Sequence, residues 1–146
     1  MTATPPAPAH RGELSREESL ALLAGVPVGR VAFSLHALPA IRLVSHIVLD
    51  GCVVFRAHEG ACVVGRVSVT GVVAYEADEL DPVTGTGWSV GVTGTATLVR
   101  DPAQLARYRT LLPLWIDGAV DGARDEVVRI SPDIVTGYRL VRTFAS

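Results

Sequence analysis

Two β-rich segments joined by a tight turn place an arginine at the end of a strand. The segments are Ala40–Leu49 and Cys52–Arg56, and the Asp50-Gly51 pair between them tolerates the positive φ angles of a two-residue hairpin turn. A guanidinium makes paired, charge-assisted hydrogen bonds to phosphate oxygens. The pattern therefore predicts a β-hairpin with a candidate phosphate-binding cation, Arg56, at its rim. The alternative is an ordinary solvated arginine at a strand end.

Other side chains with chemical potential are isolated from one another along the sequence. His46, in the first hairpin strand, points either toward a ligand or into the core, where a lone strand histidine is usually found. Trp88 offers an aromatic face and a single N–H donor to a ligand, to a partner subunit or to the core. His58 and Cys62 are four residues apart, but two ligands do not make a zinc site. No metal is predicted.

The composition excludes several functional classes. The net charge is −2, and the 13 basic residues, all arginine, are spread along the chain, so a nucleic-acid partner is not expected. The absence of lysine excludes a Schiff-base mechanism. The sequence also contains no Gly-x-Ser-x-Gly elbow, no phosphate-binding Walker loop and no Cys-x-x-Cys pair, the usual signs of hydrolases, kinases and thiol oxidoreductases.

Length and composition favour one domain in the cytoplasm. The chain has 146 residues, of which 49% are hydrophobic. Residues 1–13 lack the pattern of a secretory signal and are predicted to be a disordered tail before a single domain at 14–146. No apolar run approaches the roughly 20 residues that span a bilayer, so no membrane partner is expected. Cys52 and Cys62 are expected to be free thiols.

Hydrophobic periodicity predicts six or seven strands and two or three short helices. A capping box begins a helix over Ser15–Ala24, and Asp101-Pro102 begins another that continues to Pro113. The predicted strands beside the hairpin are 28–35, 72–76, 88–99, 126–130 and 135–141. The predicted loops are 78–87 and 117–125, and a loop with a short helix is predicted at 57–71. Antiparallel strands with short connections indicate a mainly β fold that closes into a barrel.

The order of these elements resembles the pyridoxamine 5'-phosphate oxidase-like split barrels, in particular their small actinobacterial-type members. The segment Thr86-Gly87-Trp88-Ser89-Val90 and the ending Arg129–Gly137 carry the resemblance, which extends from about Leu14 to Val141. The resemblance implies a homodimer that binds FMN at the subunit interface and acts as an oxidoreductase on a small-molecule substrate. A deazaflavin-dependent reductase of the same fold is the alternative.

The cofactor-binding residues that the resemblance implies form three groups. The first lies at or near the phosphate: Arg42, Phe55, Arg56, Ala57, Cys62 and Arg66. The second lies beside the polar edge of the flavin ring: Val44, Ser45 and His46. The third stacks on the flavin or contacts the partner subunit: Trp88, Ser89 and Trp115. For Trp115 the alternative is a hydrophobic plug beneath a loop. No catalytic residue is assigned.

Two positions depart from the family pattern. Small members typically carry threonine after the strand-end residue and lysine in the following turn, whereas this chain has Ala57 and Cys62. A charge-assisted hydrogen bond is worth about 1.5–3 kcal/mol, so these changes weaken FMN binding by about a hundredfold unless Arg42 or Arg66 compensates. A split barrel that has lost FMN and serves as a non-catalytic ligand-binding or scaffold protein is therefore a second hypothesis.

Overall fold

The computed structural model describes residues 9–35, 37–58, 71–112 and 125–142. This part of the chain contains seven strands and two helices. In chain order they are β1 (Ala9–Glu13), α1 (Arg16–Ala24), β2 (Val28–Leu35), β3 (Leu38–Leu49), β4 (Cys52–His58), β5 (Gly71–Asp81), β6 (Thr86–Leu98), α2 (Pro102–Leu111) and β7 (Asp125–Arg142). Neither described helix is long and apolar enough to cross a membrane.

The strands form an antiparallel barrel. The order is β1-β7-β4-β3-β2-β5-β6, and β6 pairs again with β7, so that every strand except β1 belongs to a closed ring. β1 extends the edge of β7 beyond the end of β4, pairing with Tyr138–Arg142. Closure pairs the strand edges that would otherwise be exposed. The predicted mainly β split barrel is confirmed.

Local signals in the sequence position the hairpin and both helices as predicted. Asp50 and Gly51 have φ angles of 52° and 74° and join the Leu49–Cys52 pair, as a two-residue turn requires. At α1, the Ser15 Oγ accepts from the Glu18 N–H at 3.1 Å and the Glu18 carboxylate accepts from the Ser15 N–H at 3.1 Å. At α2, the Asp101 carboxylate accepts from the Gln104 N–H at 3.0 Å.

The hydrophobic core has two parts, one inside the barrel and one beneath α2. Side chains on β5 and β6 alternate between buried and accessible, and the buried ones fill the barrel with residues of the other strands. Leu23 of α1 packs into this interior core. Tyr108 and Leu112 cover Val54 and Val127 on the outside of the barrel. The two helices therefore lie over different parts of the barrel.

The structure corrects two strand boundaries. The acidic loop predicted at 78–87 is mostly strand, because β5 continues to Asp81 and β6 begins at Thr86. The Asp81 carboxylate accepts from the Val83 N–H at 2.9 Å, which holds the short turn between them. The two strands predicted at 126–130 and 135–141 are one strand, β7. β7 is irregular at one place, where its register against β6 shifts. Gly94 pairs with Pro132 and Thr93 pairs with Ile134, so Asp133 is an extra residue on β7.

The first residues also differ from the prediction. Ala9–Glu13 were assigned to a disordered tail but form β1. They pair with the stretch of β7 that β4 does not reach, and the Arg11 guanidinium lies 4.1 Å from the centre of the Tyr138 ring. Residues 1–8 lie outside the described residues, as do most of the loop and short helix predicted at 57–71 and most of the loop predicted at 117–125. The ends of these loops belong to β4, β5 and β7.

Candidate functional site

β3 and β4 separate where the predicted cofactor residues lie. Their pairing runs from Leu49–Cys52 to His46–Phe55 and then stops. From there β3 continues beside β2, and β4 continues beside β7. Within the described residues, the facing edges of the two strands beyond this point have no strand partner. The opening between them, with Ser45 and Arg56 at its apex, is termed the β3–β4 split.

Strand alternation decides which predicted residues face the split. His46 and Phe55 point into the barrel, so the next residues, Ser45 on β3 and Arg56 on β4, point outward. Ser45 is fully buried and Arg56 is 3% exposed. The structure therefore brings a hydroxyl and a guanidinium together at a covered apex. The alternative of a solvated strand-end arginine is wrong.

The C-terminal end of α2 covers Arg56. The Arg56 Nη2 donates to the carbonyl oxygen of Arg109, at a distance of 3.1 Å. Carbonyl groups at a helix C-terminus carry partial negative charge, which stabilises a cation placed there. Arg56 is thus a buried cation whose guanidinium is held in one orientation by a backbone contact. Its predicted contact with a phosphate stays a prediction.

A groove beside Arg56 adds two cations that the sequence analysis missed. It has a volume of about 510 Å³ and lies where the end of β6, the start of β7 and α2 meet. Its lining combines apolar side chains with Arg100, Arg109 and Glu126. Arg100 follows the end of β6, and the packing of α2 on Val54 and Val127 brings Arg109 into the same groove. No local sequence pattern indicates this packing, although the basic last turn of α2 offers a hint.

His46 belongs to a buried hydrogen-bonded chain inside the barrel. Its Nε2 lies 2.8 Å from the Leu23 carbonyl oxygen, which only accepts, so Nε2 carries the proton. Nδ1 then accepts from the Tyr75 hydroxyl. The Tyr75 ring stacks on Phe55 with ring centres 6.2 Å apart. Of the two predicted orientations of His46, the inward one is observed, and Tyr75 is a partner that sequence reasoning did not identify.

Burial keeps both members of this chain neutral. Desolvation lowers the pKa of His46, although the hydrogen bond to Leu23 opposes the shift. Desolvation also raises the pKa of Tyr75 far above its usual range. A protonated His46 would carry a charge into the barrel and could no longer accept from Tyr75. The hydrogen bonds that His46 makes to Leu23 and Tyr75 therefore link α1, β3 and β5 through uncharged groups.

We expect His46 to make the protein less stable in acid. Because its folded-state pKa lies below the ordinary histidine value of 6.5, the unfolded chain takes up the proton first, and stability is lost as the pH falls below about 6.5. From pH 7 to pH 5, the free energy of unfolding of the wild type should therefore decline more steeply than that of His46→Gln. The two slopes should differ by at most about 1.4 kcal/mol per pH unit. Urea unfolding at both pH values measures the two slopes.

The comparison must be made in a background without Glu76, which acts in the opposite direction. Burial and the neighbouring Asp78 raise the pKa of Glu76 from 4.5 to about 7, so its contribution to stability declines as the pH rises through this range. Glu76→Gln removes this titration from both proteins. Equal slopes with and without His46 in that background would contradict the assignment of a neutral core histidine.

The side chains of the remaining predicted cofactor residues point into the barrel, lie elsewhere on it or fall outside the described part of the chain. Val44 and Phe55 are fully buried, and Trp88 packs in the barrel core, as its structural alternative predicted. Arg42 is exposed and its Nη1 donates to the Ile41 carbonyl oxygen at 2.9 Å. Ser89 is half-buried on β6. The residues outside the described part are Cys62, Arg66 and Trp115, together with the side chain of Ala57.

Comparison with known proteins identifies the family. The model of a family described as pyridoxamine 5'-phosphate oxidase matches residues 15–139. The chain belongs to this family. An uncharacterized protein of Mycobacterium tuberculosis is 53% identical over 133 residues, which cover 88% of this chain and 85% of that protein. The predicted relationship is therefore confirmed.

Two solved structures of relatives share the fold over nearly their whole length. A candidate pyridoxamine 5'-phosphate oxidase from Corynebacterium glutamicum is 30% identical with a TM-score of 0.73, covering 92% of this chain and 96% of that chain. An FAD binding protein from Mycobacterium smegmatis is 33% identical with a TM-score of 0.69, covering 90% of this chain and 100% of that chain.

Proposed function

We propose that this member of the pyridoxamine 5'-phosphate oxidase family is a flavin-dependent oxidoreductase that binds FMN at the β3–β4 split, between two copies of the chain in the cytoplasm. The observation that carries the proposal is the match to the whole length of the M. smegmatis FAD binding protein at 33% identity. The position of Arg56 and Ser45 at the apex of the split supports it.

The residues at the split fit a flavin phosphate. Arg56 would bind phosphate oxygens, because its guanidinium is already oriented by the Arg109 carbonyl and need not be ordered on binding. Ser45 would add a hydroxyl, and the unpaired edge of β3 has backbone groups for the polar edge of the ring. The bound flavin would supply the redox chemistry, while the chain binds and orients it and excludes water.

FAD is a second candidate, favoured by the groove next to Arg56. The groove of about 510 Å³ places Arg100 and Arg109 near the apex of the split. FAD has a second phosphate and an adenosine, and a groove that combines two arginines with apolar side chains suits such a group. Of Arg56, Arg100 and Arg109, FMN would contact only Arg56. Arg100→Leu should therefore weaken FAD binding and leave FMN binding unchanged.

Titration of the purified, flavin-free protein tests the proposal. We expect a micromolar or tighter dissociation constant for FMN by flavin fluorescence, with FAD and a deazaflavin as parallel ligands. Riboflavin is the matched control, since it has the same ring but no phosphate, and should bind roughly ten- to a hundredfold more weakly. Binding of the deazaflavin alone would favour the reductase alternative. A protein indifferent to every one of these ligands would contradict the proposal and support the scaffold hypothesis.

A further inference from the structure

The groove beside α2 has a wall of packed aliphatic side chains. Most of this wall belongs to the part of the core beneath α2, where the Val99 N–H donates to the Val127 carbonyl oxygen at 2.9 Å. Val127 is fully buried and Val99 nearly so, which fixes both side chains in place. The apolar residues that line the groove are Leu98, Val99, Leu105 and Val127.

Three charged side chains line the same groove, and they come from three elements. Arg100 follows the end of β6, Arg109 lies in the last turn of α2, and Glu126 lies near the start of β7. Both arginines are exposed, so a ligand can reach them from solvent. Because two guanidinium groups face one carboxylate, the lining has one positive charge in excess.

This lining selects a class of ligand. A guanidinium makes paired, charge-assisted hydrogen bonds to a carboxylate. One positive charge in excess suits a monoanion, whereas a dianion would exceed that charge and be repelled by Glu126. The aliphatic wall favours an apolar body on the same molecule. The volume of about 510 Å³ lies within the range of about 300–1,000 Å³ that is typical of small-molecule sites.

Arg109 connects the groove to the proposed flavin phosphate site. Its side chain lines the groove, while its carbonyl oxygen accepts from the Arg56 Nη2 at 3.1 Å. Tyr108 and Leu112 anchor one side of the last turn of α2 in the core, but Arg109 and Leu111 are exposed. Helix ends fray, and fraying here would release the carbonyl that orients Arg56. A ligand bound by Arg109 and Arg100 would hold the end of α2 against the barrel.

We propose that the groove binds a small monocarboxylate with an apolar body, and that this ligand strengthens FMN binding through Arg109. The second part rests on the proposed function, whereas the first part requires no flavin. The same groove would take the adenosine of FAD, but FMN at the split leaves it open to a second ligand. The two anions repel each other, yet the arginines that bind them compensate their charges and salt screens the remainder. Linkage requires that FMN strengthen carboxylate binding by the same factor.

The first experiment measures binding of cyclohexylacetate to the flavin-free protein by nuclear magnetic resonance of the isotope-labelled chain. We expect a dissociation constant of about a millimolar or tighter, with shifts at Arg100, Arg109 and Glu126. Cyclohexylethanol is the matched control, because it has the same ring but no charge, and it should bind at least about tenfold more weakly. A protein that binds neither compound, or both equally, would overturn the proposal.

Substitution of the arginines locates the ligand. Arg100→Leu and Arg109→Leu should each raise the dissociation constant of cyclohexylacetate by about tenfold. Arg107→Leu is the control on the same helix, because Arg107 does not line the groove and its Nη1 lies 3.7 Å from the Asp50 Oδ2. It should leave the constant unchanged. All three side chains are exposed, so the variants should fold, which circular dichroism checks. Binding that survives both groove substitutions would overturn the proposal.

The second experiment tests the coupling to the flavin. Saturating cyclohexylacetate should lower the dissociation constant of FMN by about fivefold, at the lower end of typical couplings between sites. Cyclohexylethanol should not change it. Arg109→Leu keeps the backbone carbonyl that holds Arg56 but lacks the guanidinium, so its FMN affinity should no longer respond to the carboxylate. An FMN affinity that the carboxylate leaves unchanged or weakens in the wild type would refute the coupling.

The two titrations separate this inference from the proposed function. A protein that binds FMN but not cyclohexylacetate contradicts the inference alone. A protein that binds cyclohexylacetate in the groove but binds no flavin contradicts the proposed function, and leaves the carboxylate site established.

Discussion

Replacing Gly94 by alanine is expected to prevent the barrel from closing normally between β6 and β7. A β-carbon at this position would overlap the carbonyl oxygen of Ser131 and lie 2.9 Å from its carbonyl carbon and 3.1 Å from the Pro132 Cα. All three are backbone atoms, so no side-chain rotation relieves the overlap. The pairing of β6 with β7 must open at the register shift, where Pro132 already lacks an N–H to donate.

We expect Gly94→Ala to lower the free energy of unfolding by about 3 kcal/mol or more, at the upper end of overpacking effects. Urea unfolding followed by circular dichroism measures the change. Gly91→Ala on the same strand is the matched control, because its β-carbon meets only the Thr136 Oγ1, at 3.3 Å, and that side chain can rotate. Equal stability of the two variants would show that the barrel accommodates the substitution at Gly94.

The second large effect is expected at Gly29, which leaves room for Tyr75. A β-carbon there would overlap the Tyr75 hydroxyl and lie 2.6 Å from the ring carbon that bears it. Tyr75 would have to move, and its hydrogen bond to His46 would break. Strain from overpacking and an unsatisfied buried imidazole each cost about 1–3 kcal/mol, so Gly29→Ala should destabilise the protein by about 3 kcal/mol.

A double-mutant cycle identifies the cause of that effect. In a Tyr75→Leu background the clash and the hydrogen bond are already absent, so Gly29→Ala should cost much less there than in the wild type. Gly12→Ala, whose β-carbon meets only the Arg139 carbonyl oxygen at 3.8 Å, controls for the general effect of alanine in a strand. Strictly additive effects of Gly29→Ala and Tyr75→Leu would contradict this account.

Sequence reasoning succeeded where the physical cause is local. The capping box at Ser15, the Asp101-Pro102 helix start and the Asp50-Gly51 turn each involve groups within a few residues of one another, and all three are confirmed. The continuity of β7 was missed because Ser131-Pro132-Asp133 has the composition of a turn. A bulge opposite Gly94 accommodates these residues within one strand.

Contacts between distant segments could not be predicted from one sequence. Arg56 was correctly placed at a strand end, but its hydrogen bond to Arg109 depends on how α2 packs on β4 and β7. The Tyr75–His46 contact depends on the register of three strands. β1 was assigned to a tail because it is ordered through backbone hydrogen bonds to β7. Amino-acid composition does not indicate such pairing. The site was therefore predicted as a set of residues and not as a geometry.

The affinity of Arg56→Leu for FMN and for riboflavin tests the central claim, that Arg56 holds the flavin phosphate at the split. The dissociation constant of FMN should rise by roughly ten- to a hundredfold, whereas that of riboflavin should stay unchanged because riboflavin has no phosphate. Arg107→Leu, which removes an arginine with 59% of its side chain exposed on α2, should alter neither constant. An unchanged affinity for FMN, or an equal loss for both ligands, would contradict the account.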